Sequence, residues 1–302
     1  MKKKTKAHLI FIAPGFVLYT FLIIFPIFFV VYLSLFNWSG LGEMVYIGLE
    51  NFKTLFFGDV GPIFFNAMKN NILYLMCVWF IITPIQFLLA YIFYLKIPFF
   101  KYYKFMIFMP YVISQTIISF FATMIFNPNI GFLNQFLEMI GLSNLTSAWL
   151  GNPDQAFTIM IILIIWQGAG TGMMIFYANL MDIPAEILEA GSLDGCNEFQ
   201  KLIHIVLPFS LPSAASIIIM SSIWALSLFD MPFILGGPNG GVRNSLDFVN
   251  LVFYRYTFGS ALRGQSNLGF GASISVLMFV IILLVTFFQN KFLERFDYNN
   301  EK

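Results

Sequence analysis

Six stretches of this chain run for more than twenty residues without one Asp, Glu, Lys or Arg: 9–36, 70–95, 105–126, 155–181, 207–229 and 264–290. A helix needs about 20 apolar residues to cross the hydrocarbon core of a bilayer. Lipid offers the backbone no partner, so each crossing segment must satisfy its own N–H and C=O groups as a helix. The expected fold is an all-α, polytopic membrane protein with six transmembrane helices. Composition agrees: 59% of residues are hydrophobic and 10% charged, against about 25% charged in soluble domains. Pro14, Pro26, Pro84, Pro110 and Pro232 lie in or beside these stretches. They are expected to kink helices whose neighbours make good the lost bonds.

Orientation follows from the basic residues. Residues 1–6 are Lys-rich and precede an apolar run too long for a cleaved signal segment, so an uncleaved first span is expected. Eleven of the sixteen Lys and Arg fall on the side of the two termini: Lys2, Lys3, Lys4, Lys6, Lys96, Lys101, Lys104, Lys201, Lys291, Arg295 and Lys302. Lys53, Lys69, Arg243, Arg255 and Arg263 fall on the other. The termini are therefore expected in the cytoplasm. The external loops are then 37–69, 127–154 and 230–263. In the last of these, "FVNLVFYRYTF" (248–258) has apolar residues at helical spacing and predicts a short interfacial helix. No internal repeat or low-complexity tract is evident.

Chemistry on the chain's own account is sparse. Cys77 and Cys196 stand alone, without the spacing of a disulfide framework. The two histidines, His8 and His204, form no HExxH pair, and there is no GxSxG elbow. "GAGTG" (168–172) lacks the Lys-Ser/Thr of a phosphate loop and lies inside the fourth stretch. It reads as small residues that let helices or a ligand approach closely. Asp154, Asp182 and Asp230 sit at span edges, and no acid lies inside a span. That is a poor basis for a proton relay. A net charge of +1 with no long basic run argues against nucleic acid. Uphill transport would need energy from a partner.

One polar segment interrupts this apolar chain. "AEILEAGSLDGCNEFQKLIHIVLP" (185–208) holds four of the fifteen acids and is expected on the cytoplasmic face. Pro184 suits a first helical turn, where Glu186 meets the positive end of the helix dipole. Gly195 suits a left-handed helix end. A second short helix is expected from Asn197 to about Ile205, before Pro208. On composition alone this is a solvated helix–turn–helix.

The spacing says more. Glu189-Ala190-Gly191, three residues, Gly195, nine residues, Ile205, one residue, Leu207-Pro208 resembles the EAA loop of permease subunits of binding-protein-dependent ABC importers. Gly191 stands where that family usually has Ala. "IPAEILEAGSLDG", "FDMPFILGGP" (229–238), "GLENF" (48–52) and "APGFVLYTFLIIFP" (13–26) are similar to the sugar-permease branch, of the maltose-importer larger-permease type. The long periplasmic insertion of that type is missing, since the first external loop has only about 33 residues by the span lengths used above. The resemblance implies a type I importer fold with the loop 183–208 as a coupling helix seated in an ATPase cleft. Glu189 would meet a basic residue of the ATPase. Ala190 and Gly191 would allow close packing, Gly195 would set the turn, and Asp194, Ile205, Leu207 and Pro208 complete the coupling set.

The resemblance also implies a sugar path along spans four and five. Gln167, Gly168 and Thr171 are expected to share one face, as are Trp224, Ser227 and Leu228, with Asp230 following. Sugars are held by aromatic faces and hydrogen-bonding side chains, but span five lacks the side-chain amides of the maltose type. For Trp224 the competing role is helix packing, and for Asp230 it is capping near the Gly-Gly-Pro turn.

The resulting expectation is a translocation subunit and not an enzyme. It comprises an N-terminal tail, first span and external loop (1–65), a permease core (66–290) and a tail (291–302). It holds no cofactor of its own, with ATP and Mg bound by the partner. Expected partners are a second homologous permease, two cytoplasmic ATPase domains, an external solute-binding protein, a sugar or oligosaccharide, and the lipid bilayer of a bacterial-type plasma membrane. The alternatives are an importer permease for another solute, such as a glycerol phosphodiester or a polyamine, or an ion-coupled carrier or six-span membrane enzyme.

Overall fold

The protein was analysed as a computed structural model that describes residues 2–259 and 266–293, with residues 2–10 described as backbone only. Arg263, Arg295 and Lys302 of the charge tally, and most of the 291–302 tail, lie outside the described residues. The elements in order are α1 (Lys2–Tyr19), α2 (Phe25–Leu33), β1 (Phe36–Asn37), β2 (Val45–Tyr46), α3 (Glu50–Phe57), α4 (Gly61–Cys77), α5 (Thr83–Tyr94), α6 (Phe100–Val112), α7 (Gln115–Ile125) and α8 (Phe132–Met139). They continue with α9 (Pro153–Met181), α10 (Ala185–Leu193), α11 (Glu198–Lys201), α12 (Leu207–Leu226), α13 (Asp230–Gly236), α14 (Val249–Phe258) and α15 (Leu268–Leu293).

Among the described residues, five helical segments are long and apolar enough to cross a membrane: Phe11–Leu33, Gly61–Tyr94, Pro153–Met181, Glu198–Gly236, which is interrupted at 227–229, and Leu268–Leu293. The sixth expected span, 105–126, is not a single helix. It is the pair α6 and α7, bent by 92° at a break after Val112. Absence of charge does not reveal such a break, because Ser114, Gln115 and Thr116 beside it are polar but uncharged and the stretch reads as one span. Its backbone is satisfied from another helix, since the Gln167 amide donates to the Ile113 carbonyl at 2.9 Å.

Proline acts in this fold less by breaking helices than by widening them. Three π-helical turns, Thr20–Ile24, Val78–Ile82 and Leu202–Val206, each end two residues before a proline: Pro26, Pro84 and Pro208. In each, the residue before the proline reaches back five positions, from Phe25 to Thr20, Thr83 to Val78 and Leu207 to Leu202. The wider turn moves the pyrrolidine ring away from the carbonyl it would otherwise strike. The helix therefore runs on through Pro208, and the short second helix expected to stop there is instead continuous with α12.

The chain divides into two compact units, 1–64 with 252–280, and 65–251 with 281–302. In the first, Asn51 of the "GLENF" stretch is buried and donates to the Ser34 and Phe36 carbonyls at 2.8 and 2.9 Å. It thereby closes the C-terminal end of α2, whose last carbonyls lack helical partners. Phe36 and Tyr46 pair across the two-stranded ribbon. Leu268 and Gly269, at the start of α15, donate to the Trp38 carbonyl. Asn267 caps that helix by accepting from the Phe270 N–H at 2.9 Å.

In the second unit, α5 and α9 carry the core. One cluster gathers Tyr74, Val78, Ile118, Met160, Met231 and Phe248. Another gathers Phe87, Phe93, Met173, Phe176, Val206 and Ile217. The first span is far less covered, with 6% of its apolar stretch buried against 50% for Pro153–Met181. The helix expected at 248–258 is present as α14. Its Val249, Leu251, Val252 and Arg255 are buried, so one face of it is packed against the protein.

Candidate functional site

The coupling segment is built from short-range bonds. Pro184 is the N-cap of α10, one position earlier than its expected first turn, and Glu186 occupies that turn. The helix ends in a Schellman closure: Cys196 N–H bonds the Gly191 carbonyl at 2.9 Å, and Gly195 N–H bonds that of Ser192 at 3.1 Å. Gly195 takes φ +81°, the left-handed conformation that favours glycine. Asp194 is the C-cap, its N–H on the Ala190 carbonyl. Asn197 then opens α11 with a capping box: its side chain accepts from Gln200 N–H at 2.8 Å, and Gln200 Oε1 accepts from Asn197 N–H at 2.8 Å. That N-x-x-Q pair was readable in the sequence.

Gly191 is the buried member of the Glu189-Ala190-Gly191 triplet, while Glu189 and Ala190 are exposed. A Cβ on Gly191 would lie 2.8 Å from Ile205 Cδ1. Ile205 thus seats on the glycine and joins α10 to the turn that leads into α12. Val206 is buried, Leu207 is exposed and Pro208 is half-buried. Glu189 makes no hydrogen bond or ion pair among the described residues. Lys201, by contrast, is paired to Glu198 at 2.8 Å. Leu193 and Phe199, which the sequence reading passed over, flank the turn with 89% and 68% of their surface exposed. The segment offers an unpaired acid and bare apolar groups on a locally fixed turn, which is the make-up of a docking element. His204 Nδ1 lies 3.0 Å from the Gln200 carbonyl within the same turn.

Of the residues expected along the sugar path, Gln167, Gly168 and Thr171 lie at i, i+1 and i+4 on the continuous helix α9, whereas Leu228 leaves the face expected for Trp224 and Ser227. The Gln167 amide is engaged at the α6–α7 break. The Gly168 carbonyl accepts from Gln86 Nε2 at 2.8 Å, and Thr171 Oγ1 is buried without a partner. Two of the three "GAGTG" glycines, Gly170 and Gly172, serve helix approach, while Gly168 has open space beside it. A Cβ on Gly170 would lie 2.7 Å from the Ile107 carbonyl oxygen, and one on Gly172 would strike the Gln86 amide. In span five, Trp224 is 74% exposed, in line with exposed Ser216, Met220 and Ser227. Leu228 does not share that face. The helix ends at Leu226, and Leu228 turns into the core with 7% of its surface exposed. Asp230 is exposed and begins α13.

Sequence reasoning also missed three asparagines of α4. Asn66 donates to the Asn244 carbonyl at 2.9 Å, and Asn70 to those of Ser245 and Asp247 at 3.2 and 2.9 Å. Asn71 bonds the segment at both ends. These amides hold the backbone on either side of the glycine-rich turn, in which Gly237, Gly240 and Gly241 all have positive φ.

Comparison with known proteins places this architecture. Residues 55–297 match the family described as binding-protein-dependent transport system inner membrane component. The chain is 33% identical to the probable ABC transporter permease protein YurN of Bacillus subtilis, over 94% of each chain. It is 28% identical to the arabinooligosaccharides transport system permease protein AraP of the same organism, over 94% of this chain and 87% of that one. A chain of a bacterial alginate ABC transporter, crystallised with an alginate pentasaccharide-bound periplasmic protein, superposes with a TM-score of 0.83 at 21% identity. That match covers 98% of this chain and 96% of the other.

Proposed function

The chain belongs to the binding-protein-dependent transport system inner membrane component family, and we propose that it conducts a sugar or oligosaccharide, driven by a separate ATPase. As a member of that family it is a multi-pass permease of the bacterial plasma membrane, a translocation subunit. The proposal adds the solute, the energy input and the partners. The observation that carries the energy input is the segment 184–206. Its turn is closed by its own bonds, Gly191 is packed under Ile205, and Glu189 is left exposed and unpaired among the described residues.

In this reading the segment faces the cytoplasm and seats in a cleft of one of two ATPase domains, which bind the ATP and Mg. Glu189 meets a base there. Closure of the ATPase dimer pushes α10, and the Gly191–Ile205 contact passes the displacement to α12. The spans rock between inward-open and outward-open states as rigid bodies. A second, related permease completes the pathway, and an external binding protein delivers the solute. Sugar is the solute class favoured by the likeness to AraP, whose name records arabinooligosaccharides. The exposed Trp224 suits a pyranose face, and Ser227, Asp230, Gln167, Gly168 and Thr171 complete the proposed path.

Reconstitution tests this. Vesicles holding this chain, its partner permease and the ATPase should accumulate sugar or oligosaccharide only with ATP inside and loaded binding protein outside. Accumulation that persists without the ATPase would sink the reading.

A further inference from the structure

α12 stops at Leu226, in the middle of the segment Glu198–Gly236. Residues 227–229 are not helical, with Phe229 at φ −140° and ψ −52°, and α13 restarts at Asp230. A helix end leaves carbonyls without partners, and inside a membrane each must find one. The partner here comes from far along the chain. Asn71 Nδ2 donates to the carbonyls of Ala225 at 3.2 Å and Leu226 at 3.5 Å. Its Oδ1 accepts the N–H of Val249, the first residue of α14, at 3.0 Å. Asn71 is fully buried. Both amide hydrogens and the carbonyl oxygen are thus in use, a combination that no other side chain of this size supplies.

We infer that Asn71 is a positioning residue of the translocation path: from α4 it caps the end of α12 and the start of α14 together, and so fixes where Ser227 and Asp230 stand. Asn250, on α14, reinforces the clasp by donating to the Ser227 carbonyl at 2.7 Å. Trp224 lies within one turn of the clasped carbonyls, so loosening them moves the exposed stripe of α12 as well. The inference rests on the proposed reading of the chain as a sugar-importing permease.

The test is import by the complete complex in vesicles, across pH, with wild type as reference at each pH. Asn71→Ala removes the clasp. Asn71→Asp keeps the acceptor for Val249 but loses the donor, and acidification restores an O–H donor by protonating the introduced carboxyl. Both variants should retain their partner subunits yet import about tenfold more slowly at neutral pH, the scale of buried acceptors left unmatched. At acid pH, Asn71→Asp should recover and Asn71→Ala should not. Wild-type import by Asn71→Ala, or the same pH response in both variants, would overturn the inference while leaving the importer reading intact. If neither variant assembles, Val249→Pro decides, since proline is tolerated at a first helical position and removes the N–H that Asn71 accepts. An assembled complex with lost import supports the clasp, and normal import overturns it. A wild-type complex that imports no sugar overturns the importer reading and this inference with it.

Discussion

The segment 184–206 and the segment 226–249 are both turns between helices, and they are held by opposite means. The first is tied mainly by bonds that span at most five residues, with one long contact from the Tyr91 hydroxyl to the Glu198 carbonyl at 3.5 Å, and most of its side chains are exposed. The second is tied by amides more than 150 residues away, and its Leu246, Asp247, Phe248 and Val249 are buried. The proposed docking turn keeps its surface free and its geometry mostly local. The turn beside the proposed path spends side chains of a neighbouring helix on its backbone.

Substitutions can break this contrast or sharpen it. The largest effect is expected at Gly236, where a Cβ would lie 2.8 Å from Gly241 N and 3.1 Å from Leu246 Cβ. Gly236→Val should destabilise the purified permease by about 3 kcal/mol or more, since backbone and core must both give way. Thermal unfolding in detergent would read it. Asn70→Leu removes the donor to the Ser245 and Asp247 carbonyls and should cost about 1–3 kcal/mol by the same measurement.

Effects in the local turn should be smaller and should spare the fold. Gly195→Val meets open space but must hold φ +81°, at about 1–2 kcal/mol. The cost should appear as weaker ATPase retention, with little change in thermal stability. Asn197→Ala loses one cap, worth about 1 kcal/mol, and should leave import within a few-fold of wild type. A fall in thermal stability at Gly195 equal to that at Gly236 would erase the distinction between the two turns.

The same contrast explains what could be read from sequence. The EAA spacing, the left-handed Gly195 and the Asn197 cap are local, so residues a few positions apart announce them. The six apolar stretches announce themselves by the absence of charge. What stayed hidden depends on distant partners. The break after Val112 looks like any apolar run until Gln167, 54 residues on, is seen to satisfy it. Asn70 reads as the first residue of a span and not as the holder of a loop 175 residues away. Leu228 was placed on the face of Trp224 because nothing nearby marks the end of α12. The prolines were visible, but the widened turns before Pro26, Pro84 and Pro208 were not. A helix can answer a proline by kinking or by adding a residue to the turn, and tertiary packing chooses.

The proposal that outside energy enters at Glu189 has a direct measurement. The complex carrying Glu189→Ala would be purified from membranes, its bound ATPase quantified, and its import assayed in vesicles. The expected result is a folded permease with unchanged thermal stability that retains its ATPase about tenfold less well and imports correspondingly less, as for a charge removed from one side of a docked pair. A variant that holds its ATPase and imports sugar as wild type does would contradict it.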